Sequence, residues 1–265
     1  MADATQPQWY LAEGQPPEVL ALHNVWLVRA VTRANTVVLH AHHTEWPLDV
    51  EVETWCSRVG KSSWDVSQLI RRLPSSSSAP ACEQRLGADK DVLAEVVTTM
   101  VSVDESLVSS AALPGVDAVR PLVAPPPFDV LVPRQRCGTV AAGPAHTLEG
   151  AVRLVDTDSL GHVNNAKWSF LACEAVHDAC AAGALGANTD ATEFLASVES
   201  IAIDYTGQLT PRQRFACAVS MSRGLGKNTL TDVVCVFTSI DTIHGKDSLI
   251  CSVTMRARAS LSSSL

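Results

Sequence analysis

What this chain lacks narrows it before anything it contains. No stretch of its 265 residues approaches the eighteen or so consecutive apolar residues that a membrane-crossing helix needs, so no membrane span is expected. Its opening, MADATQPQWYLAEGQPPEV, carries neither a basic n-region nor an apolar h-region, so no secretory leader is expected. Positive charge is in deficit: 20 Lys and Arg against 28 Asp and Glu give a formal net charge of −8. With no global basic field to hold a phosphate backbone, nucleic acid is not an expected partner. Pairs of the C-x-x-C type are absent although the chain has eight cysteines, Cys56, Cys82, Cys137, Cys173, Cys180, Cys217, Cys235 and Cys251. Most of them sit in apolar runs and read as small core residues of an intracellular protein in a reducing compartment, cytoplasm or an organelle matrix (mitochondrion or plastid). Ligand spacing is missing too. In HAHHTEW a strand would put His40 and His42 on one face and His43 on the other, with no cysteine or aspartate at matching spacing, so no metal and no cofactor are expected.

What is present is a chain 46% hydrophobic, long enough for one large core or for two of about 120 residues each. An internal repeat favours two. EVETWCSRVGKSSWDV (51–66) lines up with FACAVSMSRGLGKNTLTDV (215–233): each alternating segment reaches Arg, then Gly-Lys, then Asp-Val, a hairpin-like unit occurring twice. DVLAEVVTTM (91–100) matches DSLICSVTM (247–255), and both show the β-branched alternation of half-buried strands. Upstream, 33–50 corresponds loosely to 197–213, so each half is expected to hold three to four antiparallel strands. Between the halves, residues 120–146 are rich in proline and read as a linker. The expected organisation is a first domain over 1–119, that linker, and a second domain over 147–265.

The second half also carries DTDSLGHVNNAKW, residues 156–168. Asp156, Asp158 and Ser159 place negative charge and capping groups ahead of an apolar-periodic run, which predicts a helix from Val163 to about Ala182. On that helix Lys167, Glu174 and Asp178 share a narrow polar face, while Phe170, Leu171, Ala175, Val176 and Ala179 are expected to be buried.

The order D-x-D-x-x-G-H-V-N-N-A-x-aromatic, followed by a helix and antiparallel strands, resembles the hot-dog-fold acyl thioesterases. The tandem layout is more closely similar to the acyl-acyl-carrier-protein thioesterases, which fuse two hot-dog domains. The resemblance implies an α+β tandem hot-dog fold with antiparallel sheets wrapping a central helix, the two halves pairing within one chain. Only residues 150–260 carry the motif in full. Just 23 residues precede the first strand, NVWLVRAVTR, so the first hot-dog is expected to lack its full helix. It also has no D-x-x-G-H counterpart, so a single site is expected, in the second half.

Such a site needs a base or nucleophile beside the thioester carbonyl, and donors where the oxyanion develops. The resemblance gives Asp158 the carboxylate role with His162 assisting, and Gly161, Val163, Asn164 and Asn165 the substrate-binding positions. The main-chain N–H groups around Gly161, His162 and Val163 are expected to be free, as in the first turn of a helix. Two positions depart from the carrier-protein thioesterases. Leu160 replaces an asparagine and Gln208 a glutamate, and neither can supply those polar or general-base roles. No His-Phe-Pro signature of hot-dog dehydratases is present. The expected activity is hydrolysis of an acyl thioester of coenzyme A or of acyl carrier protein, releasing free fatty acid. The alternative is a catalytically silent hot-dog protein acting as a scaffold, a homo-oligomer or a subunit of a larger complex.

Overall fold

The computed structural model describes residues 25–36, 39, 48–73, 91–104, 109–112, 123–126, 144–186, 189–223, 230–240 and 248–258. The first half contributes β1 (Val25–Ala34), β2 (Val50–Val59), β3 (Ser63–Arg72) and β4 (Val92–Ser102). The second contributes β5 (His146–Ala151), a 3-10 turn (Leu154–Asp156), α1 (Lys167–Ala181), α2 (Ala191–Ala196), β6 (Val198–Tyr205), β7 (Arg214–Arg223), β8 (Leu230–Ser239) and β9 (Ser248–Arg258). All nine strands join one sheet in the order β2-β3-β4-β1-β6-β9-β8-β7-β5. Every pairing in it is antiparallel.

That order is the repeat made visible. β2-β3-β4-β1 and β7-β8-β9-β6 run in the same sequence toward the seam, and β5 is added outside β7. At the seam β1 pairs with β6, Arg29 opposite Asp204 and Val31 opposite Ala202. The Arg29 and Asp204 side chains are buried there, with Nη1 and Oδ1 3.6 Å apart.

The counterpart of β6 is therefore β1 at 25–34, not the 33–50 segment that the sequence comparison suggested. Strand conformation stops at Ala34. The Asn35 N–H closes the ladder on Leu93 O (2.9 Å), and Leu39 N–H then bonds back to Asn35 O (3.0 Å) in a helical turn. Asparagine is a residue that strands disfavour, which fits the ladder ending at this position. His40, His42 and His43 lie outside the described residues.

In the second half the sheet faces α1. Leu171, Ala172, Ala175, Val176 and Ala179 turn into a core with Phe215, Cys217, Val219, Val233, Cys235, Phe237, Cys251, Val253 and Met255. The alanines let the helix axis approach the strands closely. Trp168 meets Phe237 edge-on with ring centroids 5.1 Å apart. Cys217, Cys235 and Cys251 are buried and free, as expected of core cysteines. A hydrogen bond with Cys235, together with burial, pushes the Cys217 thiol well above its ordinary pKa, and burial does the same for Cys251. Neither is a nucleophile at neutral pH.

The first half is covered differently. Val31, Ser67, Leu69, Leu93, Val97 and Thr99 are buried on the face away from α1. The face continuous with α1's side, carrying Ala30, Thr32, Val66, Gln68, Val96 and Thr98, is only half-buried. Among the described residues no helix lies on it.

The helix itself differs from expectation in two ways. It begins at Lys167, four residues after Val163, because Val163 is extended and bridges to Thr157. And Phe170 is not in the core: it is 63% exposed, with the Lys167 ammonium 5.7 Å from its ring centroid. The buried stripe runs through 168, 171, 172, 175, 176 and 179, which puts position 170 on the outer stripe with Glu174, His177 and Asp178.

β5 seats against this core through Gly150, where a Cβ would stand 2.7 Å from Cζ of the buried Phe215 ring. Gly150→Ala is expected to cost about 1–3 kcal/mol and to lower the thermal midpoint by a few degrees. An unchanged midpoint in a melting experiment would mean that β5 is not seated there.

Candidate active site

The connection from β5 to α1 carries the motif, and a buried carboxylate organises it. Asp156 is 2% exposed. The Arg153 guanidinium grips it with Nε on Oδ2 (3.0 Å) and Nη2 on Oδ1 (2.9 Å), and the Arg153 N–H adds a third bond to Oδ2 (2.9 Å). Lys167, the first residue of α1, brings its ammonium to 3.2 Å from Oδ1. The Asp156 main-chain oxygen accepts from Asn164 N–H (2.9 Å). One residue thus ties the 3-10 turn, the middle of the motif and the helix start together. Arg153 first, then the other donors, hold the Asp156 carboxyl down to about 2 against the opposing effect of burial.

Beyond Asp156 the chain makes a tight loop. Asp158 N–H donates to His162 O (2.9 Å) and Gly161 N–H donates to Asp158 O (3.1 Å). Gly161 sits at φ 78, the left-handed region where a side chain is strained. The Asp158 carboxylate stabilises this loop from within: Oδ1 accepts from Leu160 N–H (2.8 Å) and, at longer range, from His162 N–H (3.4 Å). Oδ2 has no partner among the described residues. Asp158 is half-buried, and Leu160, which could have sealed it, is 72% exposed.

The donors expected around Gly161, His162 and Val163 are not free. Gly161 and His162 bond within the loop, and Val163 N–H donates to Leu209 O (3.0 Å). They belong to a loop ahead of the helix rather than to its first turn, which is why they find internal acceptors. One open donor is the Asn165 N–H, for which no acceptor exists among the described residues. Its surroundings are held: Asn164 O accepts from Lys167 N–H (2.8 Å), Asn164 Oδ1 accepts from Ala166 N–H (2.9 Å), and Asn165 O accepts from the Tyr205 hydroxyl (3.3 Å). Asn164 therefore braces the turn just ahead of α1, whose own N-cap, Ala166, makes no side-chain capping bond, and the acidic residues further upstream do not cap the helix.

Of the residues singled out from the sequence, Asp158, Gly161, His162, Val163, Asn164 and Asn165 all fall in this one loop. His162 touches Asp158 through its main chain, and its ring makes no hydrogen bond among the described residues. Gln208 is exposed in the β6–β7 connection, beside Leu209, whose oxygen holds Val163. The sequence reasoning missed Arg153, Lys167 as an ion-pair partner, and Tyr205. The i, i+3 spacing of Arg153 and Asp156 was a readable signal; nothing local pointed to Tyr205. Arg58 is committed to Asp65 at 2.6 Å. Among the described residues no group of three or more His, Cys, Asp or Glu side chains could hold a metal ion, and no helix is long and apolar enough to cross a membrane.

Comparison with known proteins completes the picture of the fold. No protein-family model and no curated protein sequence matches the chain. Solved structures do. An acyl-ACP thioesterase from Bacteroides thetaiotaomicron superposes with a TM-score of 0.54 at 12% identity, over 87% of this chain and 75% of that one. The 12:0-ACP thioesterase from Umbellularia californica gives a TM-score of 0.57 at 16% identity, over 87% of this chain and 74% of that one. The chain has a tandem hot-dog fold. In hot-dog terms α1 is the central helix of the second half, and the motif loop lies at its N-terminal end.

Asp156 yields a test of how this loop is held. Its folded pKa, about 2, lies below the ordinary aspartate value of 3.8, so its contribution to stability is present above that value and is lost as pH falls toward 2. The shift corresponds to roughly 2 kcal/mol. Urea unfolding at stepped pH is expected to show this loss in the wild type. Asp156→Asn, less stable by about 3 kcal/mol at pH 7, is expected to have a flatter profile between pH 4 and 2. Parallel profiles would remove Asp156 from its organising role.

Proposed function

We propose that this chain hydrolyses acyl thioesters, carried on coenzyme A or on acyl carrier protein, at a single site formed by Asp158 and Asn165. The observation that carries this reading is the division of labour on the Asp158 carboxylate: Oδ1 braces the loop, while Oδ2 is left without a partner on a half-buried side chain. That oxygen takes a proton from water as the water oxygen adds to the thioester carbonyl carbon. The carbonyl oxygen, becoming an oxyanion, is received by the Asn165 N–H and favoured by the positive end of α1. When the C–S bond breaks, the proton returns from Asp158 to the departing thiolate, leaving a free fatty acid and a thiol. Direct attack by Oδ2 on the carbonyl would use the same oxygen. His162, whose ring has no protein partner among the described residues, is assigned the assisting role. Its imidazole is free to bond the water or the thiol.

Leu160 and Gln208 favour a second reading, in which the loop is a relic and the protein serves as a scaffold. In that reading the Asp158 carboxylate has only its loop-bracing role. The Leu160 side chain is exposed and its N–H occupies Oδ1 alone, leaving Oδ2 open, so the first reading is preferred.

Asp158→Asn separates the two. An asparagine oxygen can still accept from Leu160 and His162 N–H but cannot act as a base. On a panel of acyl-CoA and acyl-carrier substrates, the wild type is expected to turn over and the variant to lose at least about 100-fold in kcat, with a stability change within about 1 kcal/mol. Absence of turnover in the wild type across the panel would leave the scaffold reading.

A further inference from the structure

Resting on the hydrolytic reading above, we propose that Tyr205 is a positioning residue for that reaction, acting through the main chain of Asn165. Tyr205 is the last residue of β6, half-buried against the core that holds α1. Its hydroxyl donates to Asn165 O at 3.3 Å, across 40 residues of sequence. The two peptide planes that flank Asn165 offer four polar atoms, and three are committed. Asn164 O accepts from Lys167 N–H (2.8 Å), Ala166 N–H donates to Asn164 Oδ1 (2.9 Å), and Asn165 O accepts from Tyr205. The fourth is the Asn165 N–H. A donor flanked by two immobilised planes is pre-oriented, and a pre-oriented donor is what a developing oxyanion uses.

Of the three restraints, only the one from Tyr205 comes from outside the motif. The other two are made by Asn164 and Lys167 and would form in an isolated turn. Tyr205 fastens that turn to the sheet, and the sheet is firm at this point. Just beyond Tyr205, the N–H groups of Thr206 and Gly207 both donate to Ile250 O at 2.9 Å, and Thr206 Oγ1 donates to Leu249 O at 3.1 Å. A Cβ at Gly207 would stand 3.1 Å from the Ile250 side chain, so this stretch lies close on β9. The preceding residue, Asp204, faces Arg29 across the seam. β6 thus holds the first half through one residue and the reactive turn through the next. Burial keeps the Tyr205 hydroxyl well above its ordinary pKa, so it remains a donor across the working pH range.

The test is Tyr205→Phe in the full chain, which keeps the ring in the core and removes one hydroxyl. Expected is a fall of about tenfold in kcat per folded molecule with KM within twofold, because the turn is still present but less well aimed. Amide hydrogen exchange gives a readout that does not need turnover. The Ala166 and Lys167 amides are expected to exchange at least fivefold faster in the variant, while Val176 and Ala179 in the middle of α1 stay as protected as in the wild type. Unchanged kcat together with unchanged exchange at Ala166 and Lys167 would overturn the proposal. So would uniform loss of protection along α1, which marks a merely structural role. If the wild type shows no turnover, the hydrolytic reading fails, and exchange at Ala166 and Lys167 still decides whether Tyr205 orders the turn.

Discussion

The structure of the candidate site depends on a carboxylate closed off from water. Asp156 lies between the Arg153 guanidinium and the Lys167 ammonium, with its main-chain oxygen on Asn164 N–H. That knot ties the start of the helix to the residues just beyond the end of β5. A buried carboxylate held by partly exposed cations contributes modestly to net stability, but it is demanding about geometry, and leaving it without those partners is costly. Here geometry is the useful product: the knot sets the distance between the loop that carries Asp158 and the turn that carries Asn165.

The sheet supplies the second constraint. One continuous surface of nine strands lets the first half, whose inner face is only half-buried, stiffen the strand against which the motif loop is fastened. β6 is central in this respect, flanked by β1 and β9 and carrying Tyr205 at its end. The first half thereby has a physical task, holding β6 in place through the β1–β6 pairing and the Arg29–Asp204 seam.

Much of this was legible in the sequence. The paired hairpins around Arg58 and Arg223, and the matching strands β4 and β9, follow from alternation that recurs at a fixed offset. The motif residues Asp158 to Asn165 do come together in one loop. What escaped was decided by single hydrogen bonds. Val163 lies on the apolar face of the periodic run, so periodicity extends the helix back to it, yet its N–H is taken by Leu209 O and the helix starts four residues later, at Lys167. Phe170 is apolar in composition but on the outer stripe in geometry, where the Lys167 ammonium covers its ring. The misplaced donors follow from the misplaced helix start. Tyr205 makes a contact 40 residues away, which no local pattern encodes. Strand conformation ends at Ala34, earlier than the loose match of 33–50 with 197–213 suggests, because the Asn35 carbonyl accepts from Leu39 N–H instead of continuing the ladder.

The most direct measurement is a crystal structure of the full chain with a ketone analogue of an acyl-CoA, in which a methylene replaces the thioester sulfur and the carbonyl is kept. The expected result is the analogue's carbonyl oxygen at about 2.7–3.2 Å from Asn165 N, a hydrogen-bonding distance, with its carbonyl carbon facing Asp158 Oδ2 across a single water. A carbonyl bound away from Asn165, or no binding of the analogue at all, would contradict the assignment of this loop as a thioester-hydrolysing site.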